Sequence, residues 1–373
     1  MCSAFPKMFV SAGESSGDLY SAEIIRLLCS RFPQLQVAAL AGTHCLKAGA
    51  VLIADTTSVA TMGFWEVLPS LPQWKNIWDK ARRWILHNQP SVVLCVDNPG
   101  FNMRFARFCH EQNIPVVYLA PPQVWAWGKR RAPRLAKMAD LILTLFPWEE
   151  KQFTPFGGNV QWVGHPATQL VPLTKNSQKV SPKNTVAILP GSRVREVRSI
   201  LPVLGKGIGP IITADKEVRG VVVWASSGLR GAFEGEALRW GFSSMDHEAL
   251  YEVLQNSILC ITCSGTVTLE VALAGVPQLI VYRLSPLTFW LASRVYRGQF
   301  VGLPNLVAER SVSPELIQKN FTPRKVASYV EASLNSTHLE KEAENTAYLL
   351  RRKLSNGNCF EQAAHAITQY LSF

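Results

Sequence analysis

Short apolar runs that read as buried strands alternate with helical stretches along this chain, and the alternation occurs twice. Met8–Ala12, Val37–Gly42, Ser91–Val96, Pro115–Leu119 and Leu141–Phe146 make the first series. Thr185–Leu189, Val221–Trp224, Ile258–Cys263 and Gln278–Tyr282 make the second. Strands apolar at nearly every position must be covered on both faces, and helices between them supply that cover, so a parallel sheet is predicted in each series. The chain has 373 residues, too many for one ordinary core. The fold class expected is therefore α/β, with two Rossmann-like parallel-sheet domains facing across a cleft. The first covers 1–167, a polar, aperiodic linker covers 168–184, and the second covers 185–340. A helical tail occupies 341–373. In such an arrangement ligands gather at the C-terminal ends of the strands.

Composition narrows the partners. Apolar residues make up 47% of the chain and charged ones 17%, which suits extensive burial or a greasy surface patch. Lys and Arg number 38 against 27 Asp and Glu, a net charge of +11, so anionic partners are expected. The chain has no zinc-finger spacing, no aromatic RNA-binding strand and no long basic run, and nucleic acid is not expected among them. Of eight cysteines only Cys260 and Cys263 are closely spaced. They lie in an apolar strand, so they are expected to be small buried residues rather than metal ligands. No signal-peptide pattern and no run of about 18 apolar residues is visible, so a cytoplasmic chain without a membrane span is expected.

The second series carries a candidate nucleotide site. Ile258–Cys263 runs into Ser264-Gly265-Thr266 and a helix that should end at Gly275, with Pro277 as a stop. Ser264 or Thr266 is expected to cap that helix, and Gly265 lets a ligand approach the backbone. Free N–H groups at a helix start suit a diphosphate, and Glu270 one turn on suits ribose hydroxyls. An ordinary capped helix with a surface glutamate fits the same pattern. Thr185–Leu189 leads into Pro190-Gly191-Ser192-Arg193, where Arg193 is placed to fork onto a phosphate. No Asp-x-Asp pair occurs in the chain. Neither a metal nor a cofactor is therefore expected, and leaving-group charge falls to Arg193 and the helix start at Thr266.

The first series carries a candidate acceptor site. Gly13-Glu14-Ser15-Ser16-Gly17-Asp18 turns from strand to helix without matching a dinucleotide fingerprint. Glu14 and Ser16 suit a sugar or phosphate, or only the helix start. Ser91–Val96 delivers Asp97 ahead of Asn98-Pro99-Gly100. A carboxylate at a strand end beside apolar surroundings is a candidate general base, with a structural turn as the alternative. Gln123 and Trp125 follow another strand end, trailed by Lys129, Arg130, Arg131 and Arg134.

Four of the eleven tryptophans fall between Trp65 and Trp84. Trp74, Ile77, Trp78, Ala81, Trp84 and Ile85 share one helical face, with Lys75, Lys80, Arg82 and Arg83 opposite. A helix lying in a membrane interface has this pattern, with Trp65, Leu68, Trp74, Ile77, Trp78 and Arg82 as contacts. So does a helix packed on its own domain.

In order along nearly the whole chain, several segments resemble the lipid-A-disaccharide synthase family, inverting glycosyltransferases of the GT-B type. They include Ala12-Gly13-Glu14-Ser15-Ser16-Gly17-Asp18, Val96-Asp97 with Phe101-Asn102, and Pro122-Gln123-Val124-Trp125-Ala126-Trp127. Leu189-Pro190-Gly191-Ser192-Arg193, Ser264-Gly265-Thr266 with Leu269-Glu270, Tyr282-Arg283 and Leu303-Pro304-Asn305-Leu306 complete the pattern. The resemblance implies transfer from UDP-2,3-diacylglucosamine to 2,3-diacylglucosamine 1-phosphate (lipid X), releasing UDP. It implies Asp97 as base, Arg193 as the phosphate-side arginine, and Ser192, Tyr282, Glu270 and Asn305 around the UDP. It also implies attachment to the anionic inner face of a Gram-negative inner membrane, and a homodimer that exchanges C-terminal segments, the tail otherwise crossing back. Gly42-Thr43-His44-Cys45, Asn98-Pro99-Gly100 and Pro121 depart from the family's usual residues, all on the acceptor side. The rival readings are a UDP-GlcNAc 2-epimerase and a non-catalytic nucleotide-sugar or lipid-binding protein.

Overall fold

The computed structural model describes residues 5–57, 67–124, 128–173, 184–284, 299–336 and 338–371, with backbone alone for 67–71. Trp65 and Trp125 lie outside the described residues, and of Leu68 only the backbone is described. The chain divides into two compact units. One is Met1–Pro166 together with Leu354–Phe373, and the other is Ala167–Lys353.

The first unit holds a seven-stranded sheet: β1 (Lys7–Ala12), β2 (Gln36–Ala41), β3 (Val51–Asp55), β4 (Val92–Val96), β5 (Val116–Leu119), β6 (Leu141–Thr144) and β7 (Val160–Trp162). Its order is β3-β2-β1-β4-β5-β6-β7 and the described pairings are parallel. Every residue of β4, β5 and β6 is buried, as their apolar runs require. The helices are α1 (Ser15–Arg31), α2 (Thr43–Lys47), α3 (Val67–Asn88), α4 (Pro99–Glu111), α5 (Arg131–Met138) and α6 (Glu150–Phe153).

The second unit begins with α7 (Ala167–Leu170), which starts on the last residue expected in the first domain and runs into the stretch predicted as linker. Its six strands are β8 (Thr185–Leu189), β9 (Arg219–Trp224), β10 (Phe242–Asp246), β11 (Ser257–Cys263), β12 (Gln278–Tyr282) and β13 (Glu315–Ile317). They run parallel in the order β10-β9-β8-β11-β12-β13. The helices are α8 (Val194–Ala214), α9 (Ser227–Arg239), α10 (Leu250–Gln255), α11 (Val267–Ala274), α12 (Leu303–Ala308), α13 (Pro323–Leu334) and α14 (His338–Leu354). α11 ends as its sequence suggests, on Gly275 with φ +78°, a conformation that costs glycine nothing. Cys260 and Cys263 are buried in β11 and free of disulfide bonds.

The chain leaves the second unit at the end of α14, and α15 (Cys359–Thr368) returns to the first. There it packs on α1, with Tyr20 against Phe360 and Arg31 paired with Glu361.

The amphipathic helix α3 turns its apolar face to its own unit, the packed arrangement that was one of the two its pattern allowed. Ile77, Ala81 and Ile85 are buried in the core. Trp74 packs tilted and Trp78 edge-on against Phe101 at 5.4 and 5.7 Å between ring centroids, and Trp78 also meets Phe105 and Phe108. The three phenylalanines recur at i, i+4 and i+7 on α4, a stripe that gives α3 an apolar partner. Burying each large apolar side chain there stabilises the fold by ~1.5–3 kcal/mol. Of the expected contacts, Arg82 remains exposed, its guanidinium 5.7 Å from the Phe108 ring.

Candidate functional site

Both sheets have a switch point where the strand order reverses direction, and the candidate residues collect at these two places. In the first unit it lies between β1 and β4, whose ends are in register with Ala12 beside Val96. The turn carrying Glu14 and Ser16 leaves β1 there, and Asp97 leaves β4 beside it.

Asp97 and Asn98 take up left-handed backbone conformations in succession, φ +49° and +42°. Asp and Asn tolerate this better than other side chains, at a cost of ~1–2 kcal/mol each. The turn carries the chain from β4 into α4, with Pro99 at its first position. Asn98 packs against the Gly13 backbone so closely that a Cβ at position 13 would lie 1.9 Å from its Nδ2. Gly13 is therefore required by close approach, and it links the two turns.

Burial pushes the Asp97 carboxyl up to about 7, the negative charge of Glu14 adds to this, and a hydrogen bond from the Asn98 backbone N–H opposes it. Glu14 is exposed and Ser16 half-buried. Asp18, in the same turn, does something else. It is buried, and its carboxylate accepts from the N–H groups of Gly42, His44 and Cys45 at 2.9–3.0 Å, capping α2. Gln123 is exposed beyond β5.

Two residues that sequence reasoning gave no role hold the Asp97 turn. The buried Asn102 donates from Nδ2 to the Asp97 carbonyl at 2.9 Å, and the buried Tyr118 hydroxyl donates to the same oxygen at 2.8 Å. Asn102 lies in a segment that carries the family resemblance, but nothing local marks Tyr118 as more than a strand aromatic.

In the second unit the switch point lies between β8 and β11, with Leu189 beside Thr262 and Cys263 beside Val281 of β12. Ser192, Arg193, Ser264, Gly265, Thr266 and Tyr282 thus come from three adjacent strand ends. Glu196 shapes the first loop. One carboxylate oxygen accepts from the Ser192 and Arg193 N–H groups at 3.0 and 3.2 Å, and the other meets the Arg193 guanidinium at 3.3 Å. The Arg193 side chain is 61% exposed, so this pairing leaves most of its donors open.

The expected hydroxyl caps on α11 do not form. Thr266 has a helical backbone and makes no side-chain cap, and Ser264 Oγ donates instead to the Val301 carbonyl at 3.4 Å. Among the described residues the N–H groups of Gly265 and Thr266 donate to no backbone carbonyl, and a Cβ at Gly265 would meet nothing within 4 Å. An open helix start with unused donors suits an anion better than a self-capped one would.

Tyr282 is half-buried, and burial raises its hydroxyl pKa, with the charge of Glu196 adding and Arg193 opposing. Glu270 is also half-buried. Burial raises its carboxyl pKa, against the charge of His247 and a hydrogen bond from the Tyr251 hydroxyl at 3.2 Å. Asn305, expected beside the UDP, has its amide bonded within the second unit. It is fully buried, its Oδ1 accepts from Val312 and Ser313 N–H at 2.7 and 2.8 Å, and its Nδ2 donates to the Ser313 carbonyl and to Glu315, both at 2.7 Å. Glu315 in turn accepts from the Val301 and Gly302 N–H groups. Asn305 therefore holds the loop that Ser264 touches, with its own amide used inside the fold.

Among the described residues no three His, Cys, Asp or Glu side chains gather as metal ligands, and no helix is long and apolar enough to cross a membrane.

A family model described as lipid-A-disaccharide synthetase matches residues 8–368. A protein of Geobacter sulfurreducens named lipid-A-disaccharide synthase is 30% identical over 373 residues, covering 98% of this chain and 97% of that protein. Among solved structures, the UDP-GlcNAc 2-epimerase of Neisseria meningitidis bound to UDP-GlcNAc superposes with a TM-score of 0.65 at 12% identity, covering 97% of this chain and all of the other. The calicheamicin glycosyltransferase CalG4 gives 0.59 at 14% identity, covering 98% of each. These structural likenesses are of fold alone, that of GT-B proteins with two parallel-sheet α/β domains.

Proposed function

The chain belongs to the lipid-A-disaccharide synthetase family, and from that premise we propose how its residues divide the work of glycosyl transfer. It is a glycosyltransferase of lipid A disaccharide synthesis, and its sugar donor is a UDP-sugar. The donor we propose is UDP-2,3-diacylglucosamine and the acceptor 2,3-diacylglucosamine 1-phosphate.

Asp97 takes the proton from the acceptor 6-hydroxyl as that oxygen attacks the anomeric carbon of the donor. The bond from the anomeric carbon to the diphosphate oxygen breaks, and UDP leaves with the electron pair. Arg193 and the N–H groups of Gly265 and Thr266 receive the charge that grows on the diphosphate. Glu270 meets the ribose, with Ser192, Ser264 and Tyr282 around the nucleotide. Glu14, Ser16, Gln123 and Trp125 serve the acceptor. One base is enough, because a diphosphate leaves without needing a proton.

The observation that carries this reading is the Asp97 carboxyl, pushed up to about 7 at a strand end where the sheet order switches. A base is most effective when its pKa lies near the working pH. Replacing Asp97 by Asn should lower turnover by ~10²–10⁴, the usual worth of general-base help, and leave UDP affinity unchanged. Full turnover in that variant would remove Asp97 from the chemistry.

The protein docks on the inner face of a Gram-negative inner membrane through anionic lipid. With the tryptophan face of α3 packed on α4, the exposed cations Lys75, Lys80, Arg82 and Arg83 are the groups that meet the headgroups. A homodimer that exchanges C-terminal segments would seat the second copy's α15 where this chain's own lies against α1.

A further inference from the structure

We propose that Tyr118 and Asn102 are positioning residues for Asp97, locking the left-handed turn that aims its carboxylate at the acceptor hydroxyl. This rests on the reading of Asp97 as the base.

Two successive non-glycine residues with positive φ do not hold that conformation by local preference. The surroundings must hold it, and the hydrogen bonds show how. The Asp97 N–H donates to the Leu119 carbonyl at 3.0 Å, which continues the β4–β5 ladder by one step. The Asp97 carbonyl then leaves the ladder and is caught by two side chains, the Tyr118 hydroxyl at 2.8 Å and Asn102 Nδ2 at 2.9 Å. These come from different elements, β5 and α4, so the turn is fixed from two directions.

Asn102 is itself fixed. Its Nδ2 also faces the carbonyls of Val96 at 3.0 Å and Ser11 at 3.1 Å, and its Oδ1 accepts from Ser11 Oγ at 2.6 Å. Three carbonyl oxygens around one end of the amide settle which end is NH₂. A chain of contacts thus runs from Ser11 in β1 through Asn102 to Asp97, joining the two strands that flank the switch point.

Both side chains sit where an apolar residue would pack as well. Tyr118 is fully buried among the apolar residues of the sheet core, and Asn102 lies on the buried face of α4 beside Phe105 and Ala106. The Tyr118 ring fills space that phenylalanine would fill equally, so its hydroxyl adds one thing, the bond to the Asp97 carbonyl. A base displaced by about 1 Å loses much of its effect, because proton transfer depends steeply on alignment.

The test uses the full-length protein and the UDP-sugar and acceptor given above. Tyr118→Phe should lower kcat by ~10-fold while the KM for the UDP-sugar and the affinity for UDP stay at the parent values. Ser11→Ala, which loosens the amide one step further away, should lower kcat by a smaller factor. In an Asp97→Asn background, Tyr118→Phe should cause no further loss, because the group it aims is gone. An unchanged kcat in both single variants would overturn the proposal. So would the same fold-loss with and without Asp97, or an equal loss of UDP affinity, since either places the effect elsewhere. Parent-level turnover in Asp97→Asn alone would instead strike the reading of Asp97 as base, and the two failures are thereby told apart.

Discussion

Asp97 should weaken the fold at the pH where it works, and replacing it by Asn should reveal this. An unfolded aspartate titrates near ~3.9, while burial and Glu14 hold Asp97 at about 7 in the folded chain. Between these values the folded chain binds a proton that the unfolded chain does not. The stability this group contributes is therefore fully present below the unfolded pKa and is lost as pH rises through about 7. A displacement of about three units corresponds to ~4 kcal/mol. The residue is half-buried, and screening by water brings the expected figure to ~1–3 kcal/mol. Asparagine of the same size is neutral throughout and escapes the loss. Scanning calorimetry at pH 8 should find Asp97→Asn melting above the parent, by roughly 2–4 °C for each kcal/mol in a unit of this size. At pH 5 the difference should shrink. Parent kcat/KM should fall about tenfold per pH unit below 7 as the base is protonated. A variant that melts at or below the parent at pH 8, or a gap that widens at pH 5, would refute the reasoning.

Glu14→Gln removes the like charge beside Asp97, so the acidic limb of the pH–rate profile should move to lower pH, though not to the ordinary aspartate range, since burial is the larger cause. Gly13→Ala puts a Cβ 1.9 Å from Asn98 Nδ2. The displaced turn should cost ~10²-fold in turnover with UDP affinity intact, as measured by calorimetric titration. Asn305→Ala leaves the half-buried N–H of Val312 and the buried N–H of Ser313 without their acceptor. It should destabilise the second unit by ~2–4 kcal/mol in urea unfolding and weaken UDP binding through the Val301 loop.

The strand ends were legible because buried parallel strands leave continuous apolar runs, and the candidate residues sit where those runs stop. Asp97, Arg193 and the turn at Gly265 could be located in this way before any coordinates. What stayed hidden depends on tertiary partners. The bonds from Tyr118 and Asn102 to one carbonyl join β5 and α4 to the end of β4, and no spacing along the chain announces them. Asp18 looked like its neighbours Glu14 and Ser16, yet its partners are the N–H groups of residues 42, 44 and 45, supplied by the chain after β2. The face of α3 was ambiguous for a physical reason: a core and a bilayer interface select the same amphipathic period. The stripe Phe101, Phe105, Phe108 that meets the Trp74 and Trp78 rings lies in a different helix. Ser264 and Thr266 have the chemistry of caps, but a hydroxyl caps only when its backbone is extended, and Thr266 is helical.

The most direct measurement is UDP release by the purified protein from UDP-2,3-diacylglucosamine, with and without 2,3-diacylglucosamine 1-phosphate, and with mass spectrometry of the lipid product. Transfer predicts release only when both lipids are present, one UDP for each disaccharide 1-phosphate formed. Consumption of the UDP-sugar without acceptor, or no disaccharide when both are supplied, would contradict it.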